Sequence, residues 1–384
     1  MRSIEQGVSK EREIMVRATR RLLLVFLALG TVWIAGCLPD ELPAFTCDGN
    51  TILAIAPGAN ESSVLWACDI PAAKVTPYAL PRLLGVDLSR MLGDQVWVQA
   101  TIGARKYKCW RFDPAGRQFL AGPAELEGRP WVRKAIAGSR DGKKCLFVPH
   151  KDKDNDGTYD VFSYPDLKKT GTVPLVNPMT AGRFWWVDVK QKKNDEGHYE
   201  VRQIEVFNPR GKRVCSISKE EAEKAASFGK RKMRGLPRYA RISDDGTALL
   251  LAFGDQGWYS FGLFDVKTGK CLWGGITQTL WGTPLVRRAE VWTLRQEKGA
   301  EGQWDGTALI RLRQGQKPDE KGRTGQKMLV LPVDTDLSRD RFCVSPDGTQ
   351  FVLGIRRSAR LLLIPIKEEV TAKDVQSVQL KIDK

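Results

Sequence analysis

Apolar residues in this chain fall in short runs rather than at helical spacing. Examples are CLFV (145–148), LLLAF (249–253), FVLG (351–354) and LLLIPI (361–366), set between segments rich in Gly, Asp and Pro. Short apolar runs punctuated by turn residues predict strands, and Asp-Gly supplies the positive φ and local hydrogen bonding of a tight hairpin. Val378, Leu380 and Ile382 alternate with polar residues, so the C-terminal tail reads as one more strand, completing the first or last unit of the fold. One stretch breaks the pattern. Ser218–Ala226 is rich in helix formers with Ser218 and Glu221 at capping-box spacing, and it runs into the cations Lys230, Arg231, Lys232 and Arg234. It predicts a short helix and basic loop, an insertion near 218–235 that could face an anionic surface.

The strand pattern repeats. Three hairpins are near copies: GSRDGKKCLFV (138–148), ISDDGTALLLAF (242–253) and VSPDGTQFVLG (344–354). A second unit, a strand ending in a turn before another strand, occurs in seven copies. These are VLWACDIPAAKV (64–75), KCWRFDPAGRQFL (108–120), DVFSYPDLKKTGTV (160–173), IEVFNPRGKRVCSI (204–217), FGLFDVKTGKCLWG (261–274), an interrupted copy over 307–332, and LLLIPIKEEV (361–370). Setting aside a 36-residue leader leaves about 50 residues per copy, near the repeat length of propeller blades. The reading is all-β: a single β-propeller of about seven four-stranded blades over residues 51–384. Radial closure leaves only short, protected strand edges. The S-x-D-G turns resemble those of TolB-like and WD-repeat-like bacterial propellers, and FDVKTGKCLWG looks like one repeat of the quinoprotein type.

The N-terminus carries an address. The apolar run LLLVFLALGTVWIAG (22–36) follows Arg17, Arg20 and Arg21 and ends in small residues before a cysteine. It falls short of the about 20 residues that span a bilayer, and has the three-part form of a secretory signal peptide. Glu5, Glu11 and Glu13 are unusual in such a leader, so Met15 reads as the more natural start. Ile34-Ala35-Gly36-Cys37 resembles the lipobox of bacterial lipoproteins. That resemblance implies that residues 1–36 are removed, that Cys37 becomes a lipid-modified first residue bearing acyl chains such as palmitate, and that 37–50 is a tether. Leu38, where Asp would favour inner-membrane retention, implies the periplasmic face of the outer membrane in a Gram-negative cell.

Charge and candidate chemistry adjust this picture. The formal net charge is +16, and removing the six basic and three acidic residues of the leader lowers it to +13. For an exported chain the counter-surface is an envelope protein or an anionic glycan or lipid surface, not nucleic acid. Asp152, Asp154, Asp156 and Asp160 fall at positions 1, 3, 5 and 9 of an acidic loop, with Gly157 at position 6 and Thr158 offering a backbone carbonyl at 7. That spacing suits an oxygen-ligated Ca²⁺, although Ser163 stands where an EF-hand has Glu. Beyond Cys37, Cys47 and Cys68 form the disulfide pair to test first. Cys109, Cys145, Cys215, Cys271 and Cys343 lie in or beside strands and read as small buried hydrophobes. Trp66, Trp97, Trp110, Trp273 and Trp292 read as wedges between blades, and at least one ring of Phe184-Trp185-Trp186 should join them. Trp258-Tyr259 and Trp304, beside Gly-rich turns, read as a recognition surface. Only His150 and His198 are available as histidine bases, and no nucleophile or nucleotide motif occurs, so no catalysis is assigned. The functional expectation is a lipid-anchored binding scaffold of the cell envelope. The alternatives are a lipoprotein resembling the propeller factor of outer-membrane protein assembly, and a carboxylate-dependent glycan hydrolase.

Overall fold

In the computed structural model the chain divides into Met1–Leu38 and Pro39–Lys384. The structure describes residues 43–380 apart from 47–48, 58–62, 73, 79–87, 104–105, 114–117, 123–131, 133, 151–156, 196, 228–235, 256–257, 278–283, 288, 299–303, 318–323, 334, 336–340 and 356. Twenty-eight strands form seven sheets among these residues, each of four consecutive antiparallel strands. Blade 1 comprises β1 (Ala44–Phe45), β2 (Thr51–Pro57), β3 (Ser63–Asp69) and β4 (Lys74–Tyr78). Blade 2 follows with β5 (Leu88–Leu92), β6 (Gln95–Gly103), β7 (Lys106–Asp113) and β8 (Gln118–Ala121). Blade 3 has β9 (Ile136–Arg140), β10 (Lys143–Pro149), β11 (Thr158–Ser163) and β12 (Lys169–Pro174). Blade 4 has β13 (Pro178–Thr180), β14 (Trp186–Lys193), β15 (Tyr199–Phe207) and β16 (Arg213–Ser218). Blade 5 has β17 (Tyr239–Ile242), β18 (Ala248–Asp255), β19 (Trp258–Asp265) and β20 (Cys271–Thr277). In blade 6 these are β21 (Leu285–Val286), β22 (Glu290–Lys298), β23 (Trp304–Arg313) and β24 (Gln326–Leu331). Blade 7 closes the series with β25 (Arg341–Val344), β26 (Gln350–Ile355), β27 (Arg360–Pro365) and β28 (Gln376–Gln379).

The seven recurring units of the sequence are the hairpins joining third and fourth strands, one per blade. Blade 1 draws its innermost strand from inside the segment read as tether; at two residues, β1 is too short to show any period. First strands pack on one another around the axis: β9 on β13, β13 on β17, and β25 on β1.

Apolar clusters join blade 1 to 2, 3 to 4, 4 to 5, 5 to 6, 6 to 7 and 7 to 1, and burial on both faces is why central strands read as unbroken apolar runs. Leu249, Leu251 and Phe253 of β18 face blade 4, whereas Ala248, Leu250 and Ala252 face blade 6. Trp66, Trp97, Trp110, Trp273 and Trp292 are all buried, as expected of wedges. Phe184 and Trp186 are both buried, Trp185 being half-buried, and Trp186 is stacked on Phe207 at 3.9 Å between blades 3 and 4. The indole N–H groups of Trp66, Trp186 and Trp273 meet no acceptor, so these rings act through apolar area. Tyr259 is also buried, in the blade 5–blade 6 cluster, which removes it from a recognition surface; its strand is interior rather than a loop flank.

Two glycines set how closely blades approach. Gly211 and Gly269 occupy the same place in the third hairpins of blades 4 and 5, at φ 74° and 70°. A Cβ there would stand 2.5 Å from the Ser139 carbonyl oxygen and 2.4 Å from that of Ser216, both on the preceding blade. Only a residue without a side chain satisfies both conditions.

The predicted helix is present as α1 (Lys219–Ala226), between blades 4 and 5, with the Ser218 hydroxyl accepting the Glu221 N–H at 3.3 Å. Glu221 does not complete a reciprocal box. Its carboxylate instead accepts the Cys271 amide on β20 at 2.6 Å, and the Ala225 carbonyl accepts the Ser260 hydroxyl at 2.7 Å. The helix thus covers strands of blade 5 and satisfies an edge amide that would otherwise be open for pairing.

The three S-x-D-G hairpins divide into two kinds. In blades 5 and 7 the Asp carboxylate gathers the turn: Asp245 accepts from the Ser243 hydroxyl (2.6 Å) and the Thr247 amide and hydroxyl, and Asp347 does the same with Ser345 and Thr349. Blade 3 has Lys143 in place of Thr, so that network has no third member. Asp141 and Gly142 instead both take positive φ (51° and 75°) in a two-residue turn closed by the Arg140–Lys143 pair.

Among the described residues, ring closure uses no shared strand. β28 pairs with β27 as the outermost strand of blade 7, and the seam with blade 1 is made by side chains. Phe45, Ile52, Trp66 and Cys68 pack there against Cys343, Val352, Leu361, Leu363 and Leu380. Leu380→Ala should therefore cost roughly 2–5 kcal/mol in chemical denaturation, as a large-to-small change in a core does; a loss below about 0.5 kcal/mol would mean the seam does not hold the ring.

The two turn types respond differently to one substitution. Asp347→Gly should lower stability by about 1–2 kcal/mol, through the lost hydrogen bonds and the freer chain, and Asp141→Gly by less than about 0.5 kcal/mol. The Ser345 hydroxyl, the largest influence on it, holds the Asp347 carboxyl below its ordinary value, outweighing the opposing desolvation. The Asp347 contribution is thus complete above about pH 4 and fades as pH falls through the lowered folded value, so the two variants should converge in acid.

Candidate functional site

Because strands within each blade are antiparallel, turns joining first to second and third to fourth strands emerge on one face of the ring, here called the Asp-Gly face. The second-to-third turns emerge on the other. A cavity of about 520 Å³ opens on the Asp-Gly face. Its walls come from the first strands or first turns of blades 1, 2, 4, 5 and 7, from Pro209 in the third turn of blade 4 and from Lys144 of blade 3, which places it at the ring axis.

The cavity joins apolar walls to cations. Phe45, Phe184 and Trp185 supply rings, and Lys144, Arg183 and Arg241 supply charge against the single lining carboxylate Asp244. Lys144 Nζ lies 4.4 Å from the centroid of Phe184 and 3.7 Å from Asp94, which also accepts the Tyr164 hydroxyl. Burial first, and then Asp94, pushes the Tyr164 phenol upward, so it stays a neutral donor. Arg183, Arg241 and Arg287 all act electrostatically on Asp244, yet desolvation at the mouth outweighs them and holds its carboxyl above the ordinary value. Arg241 is half-buried in β17 between the buried Ala240 and Ile242, and it reaches the field of Cys343 of blade 7.

The residues singled out in the sequence lie elsewhere. Asp160 is buried in β11, its carboxylate 2.7 Å from His150 Nδ1 and 2.8 Å from Lys169 Nζ. Burial alone would raise its pKa, but hydrogen bonds from Lys169 and His150 pull it below the usual value. The Thr158 carbonyl accepts the His150 amide at 2.9 Å. Asp152, Asp154 and Asp156 lie outside the described residues, as do Ile34, Ala35, Gly36 and Cys37 and the cations Lys230, Arg231, Lys232 and Arg234. The side chains of Trp258 and Trp304 are likewise not described. His150 and His198 belong to second turns, on the face away from the cavity.

Cys68, Cys145, Cys215, Cys271 and Cys343 are free thiols, and Cys109 is buried in β7. Cys68 packs in the seam as a free thiol, and Cys47, the partner expected for it, lies outside the described residues. Burial raises the thiol pKa of Cys145 and Cys343 to about 12 and of Cys215 and Cys271 to about 11. A thiol so raised is a poor nucleophile at neutral pH. Sequence reading missed the cavity residues Arg183, Arg241 and Asp244. The one local signal was a cation within the otherwise apolar β17, YARI.

No family model matches the chain, and no curated protein sequence matches it. Solved structures resemble it at low identity. An uncharacterized protein of Listeria monocytogenes has a TM-score of 0.48 at 10% identity, over 90% of this chain and 96% of that one. A putative 6-phosphogluconolactonase of Bacteroides fragilis has a TM-score of 0.45 at 13% identity, over 88% and 97%. The WD40 repeats of RRP9 give 0.44 at 10% identity, over 84% and 89%. At these identities the likenesses say nothing of activity, and the assignment as a seven-bladed β-propeller rests on the strand order itself.

The raised thiols make a direct prediction. Peptide-resolved labelling of native protein at pH 8 should find Cys145, Cys215, Cys271 and Cys343 at least roughly a hundredfold slower than after denaturation. Fast labelling of Cys145, Cys271 or Cys343 would contradict their assignment as buried filling, whereas Cys215 is only half-buried.

Proposed function

We propose that this protein is an exported propeller, held at the cell envelope by a lipid on Cys37, that binds a partner or ligand through its Asp-Gly face. The observation that carries the binding reading is the axial cavity, about 520 Å³ and lined by Lys144, Arg183 and Arg241 against one carboxylate. A concave site with apolar walls and a few converging charges is the usual form of a binding pocket. The described thiols and histidines form no nucleophile–base pair at that cavity, so binding rather than bond-breaking is the reading favoured. The anchor rests on the sequence Ile34-Ala35-Gly36-Cys37 after a basic and apolar leader. On a membrane surface the +13 of the processed chain would also favour acidic partners.

Expression of the full chain in a bacterial host tests both halves. Mass analysis should find an N-terminal peptide beginning at an acylated Cys37, and Cys37→Ala should abolish acylation and membrane retention. Detergent-solubilised envelope should yield a stable partner that the double variant Lys144→Glu, Arg183→Glu fails to retain. An unmodified Cys37 removes the anchor. Equal recovery with the charge-reversed variant removes the Asp-Gly face as the binding face.

A further inference from the structure

We infer that the axial cavity holds a small organic oxyanion, a carboxylate or phosphate on a ring-bearing or apolar body, gripped by Arg241 and Arg183 beside Phe184 and Trp185. This deepens the binding reading above by naming the chemistry of the ligand.

Arg241 is the group that requires explanation. It sits in the innermost strand of blade 5, half-buried, and its guanidinium makes no hydrogen bond or ion pair among the described residues. A guanidinium carries five N–H donors and stays charged at any ordinary pH. Placing it in a partly enclosed site without an acceptor is unfavourable. The flanking Ala240 and Ile242 show that the strand is otherwise built for packing, and an apolar residue would serve there at no such cost.

The nearest carboxylate does not resolve this. Asp244 lies in the field of Arg183, Arg241 and Arg287, yet it too makes no hydrogen bond or ion pair among the described residues. Arg287 is already engaged with Glu290 at 3.6 Å and with the Gly348 carbonyl, so Arg241 is the guanidinium near Asp244 whose donors are open to an incoming anion, with Arg183 beside it in the lining. An incoming oxyanion would take the guanidinium N–H groups in a bidentate, charge-assisted arrangement, the geometry for which Arg is better suited than Lys.

Size and walls narrow the class. A volume of about 520 Å³ falls within the roughly 300–1,000 Å³ of small-molecule sites. The rings of Phe184 and Trp185 line it, and they favour a ligand with a planar or apolar body over a bare inorganic ion.

The test uses the full-length protein in detergent, titrated calorimetrically with phenyl phosphate, benzoate, inorganic phosphate and neutral benzyl alcohol. Phenyl phosphate or benzoate should bind saturably, and more tightly than inorganic phosphate or benzyl alcohol. Arg241→Met should weaken that binding by roughly ten- to a hundredfold, the value of a charge-assisted hydrogen bond. Because Arg241 makes no hydrogen bond or ion pair among the described residues, the same variant should keep or raise the melting temperature. Arg183→Gln, a second and independent variant, should weaken binding in the same direction, and Asp244→Asn should tighten it by removing a competing carboxylate. Absence of saturable binding by both aromatic anions, or unchanged affinity in Arg241→Met and Arg183→Gln, overturns the inference. Partner recovery from solubilised envelope, measured separately, distinguishes that outcome from failure of the binding face itself.

Discussion

Everything in this ring follows from one constraint: each blade is a thin sheet with apolar side chains on both faces, and neither face can be left in water. The Leu-rich run of β18 divides its side chains between blade 4 and blade 6, so no blade has a core of its own. Burial is completed only when the last blade meets the first. At that seam the contact between Trp66, Cys68, Leu361 and Leu380 does the work that a shared strand does in other closed sheets. Side-chain closure requires the terminal blades to match in shape, since no ladder of backbone hydrogen bonds fixes their register.

The same need for close approach explains the turn chemistry. Gly211 and Gly269 bring their hairpins onto the main chain of the preceding blade, and a methyl group in either place would collide with a carbonyl oxygen. Asp245 and Asp347 stiffen their turns with three local hydrogen bonds each, while Asp141 reaches a similar reversal through positive φ. Around the axis these turns line the cavity that also holds Arg183 and Arg241, with Lys144 engaged by Asp94 and Phe184. The raised carboxyl of Asp244 reflects its own loss of water at the mouth, which outweighs the pull of the nearby guanidiniums.

The sequence alone determined the architecture. Seven recurring hairpins, unbroken apolar runs and one capped helix placed every blade, because turn residues and strand runs are local properties. The lipobox-like Ile34-Ala35-Gly36-Cys37 is legible for the same reason, as a contiguous signal. Other features depended on neighbours far along the chain. β1 is too short to carry a period, Glu221 turns to an edge amide fifty residues away, and Tyr259 is buried by blade 6. The axial cavity was decided only by tertiary structure: Arg183, Arg241, Asp244 and Cys343 come from three separate blades and share no spacing. Closing a ring brings first strands together at a center that no linear pattern can mark, and the charge gathered there is a property of the closed ring.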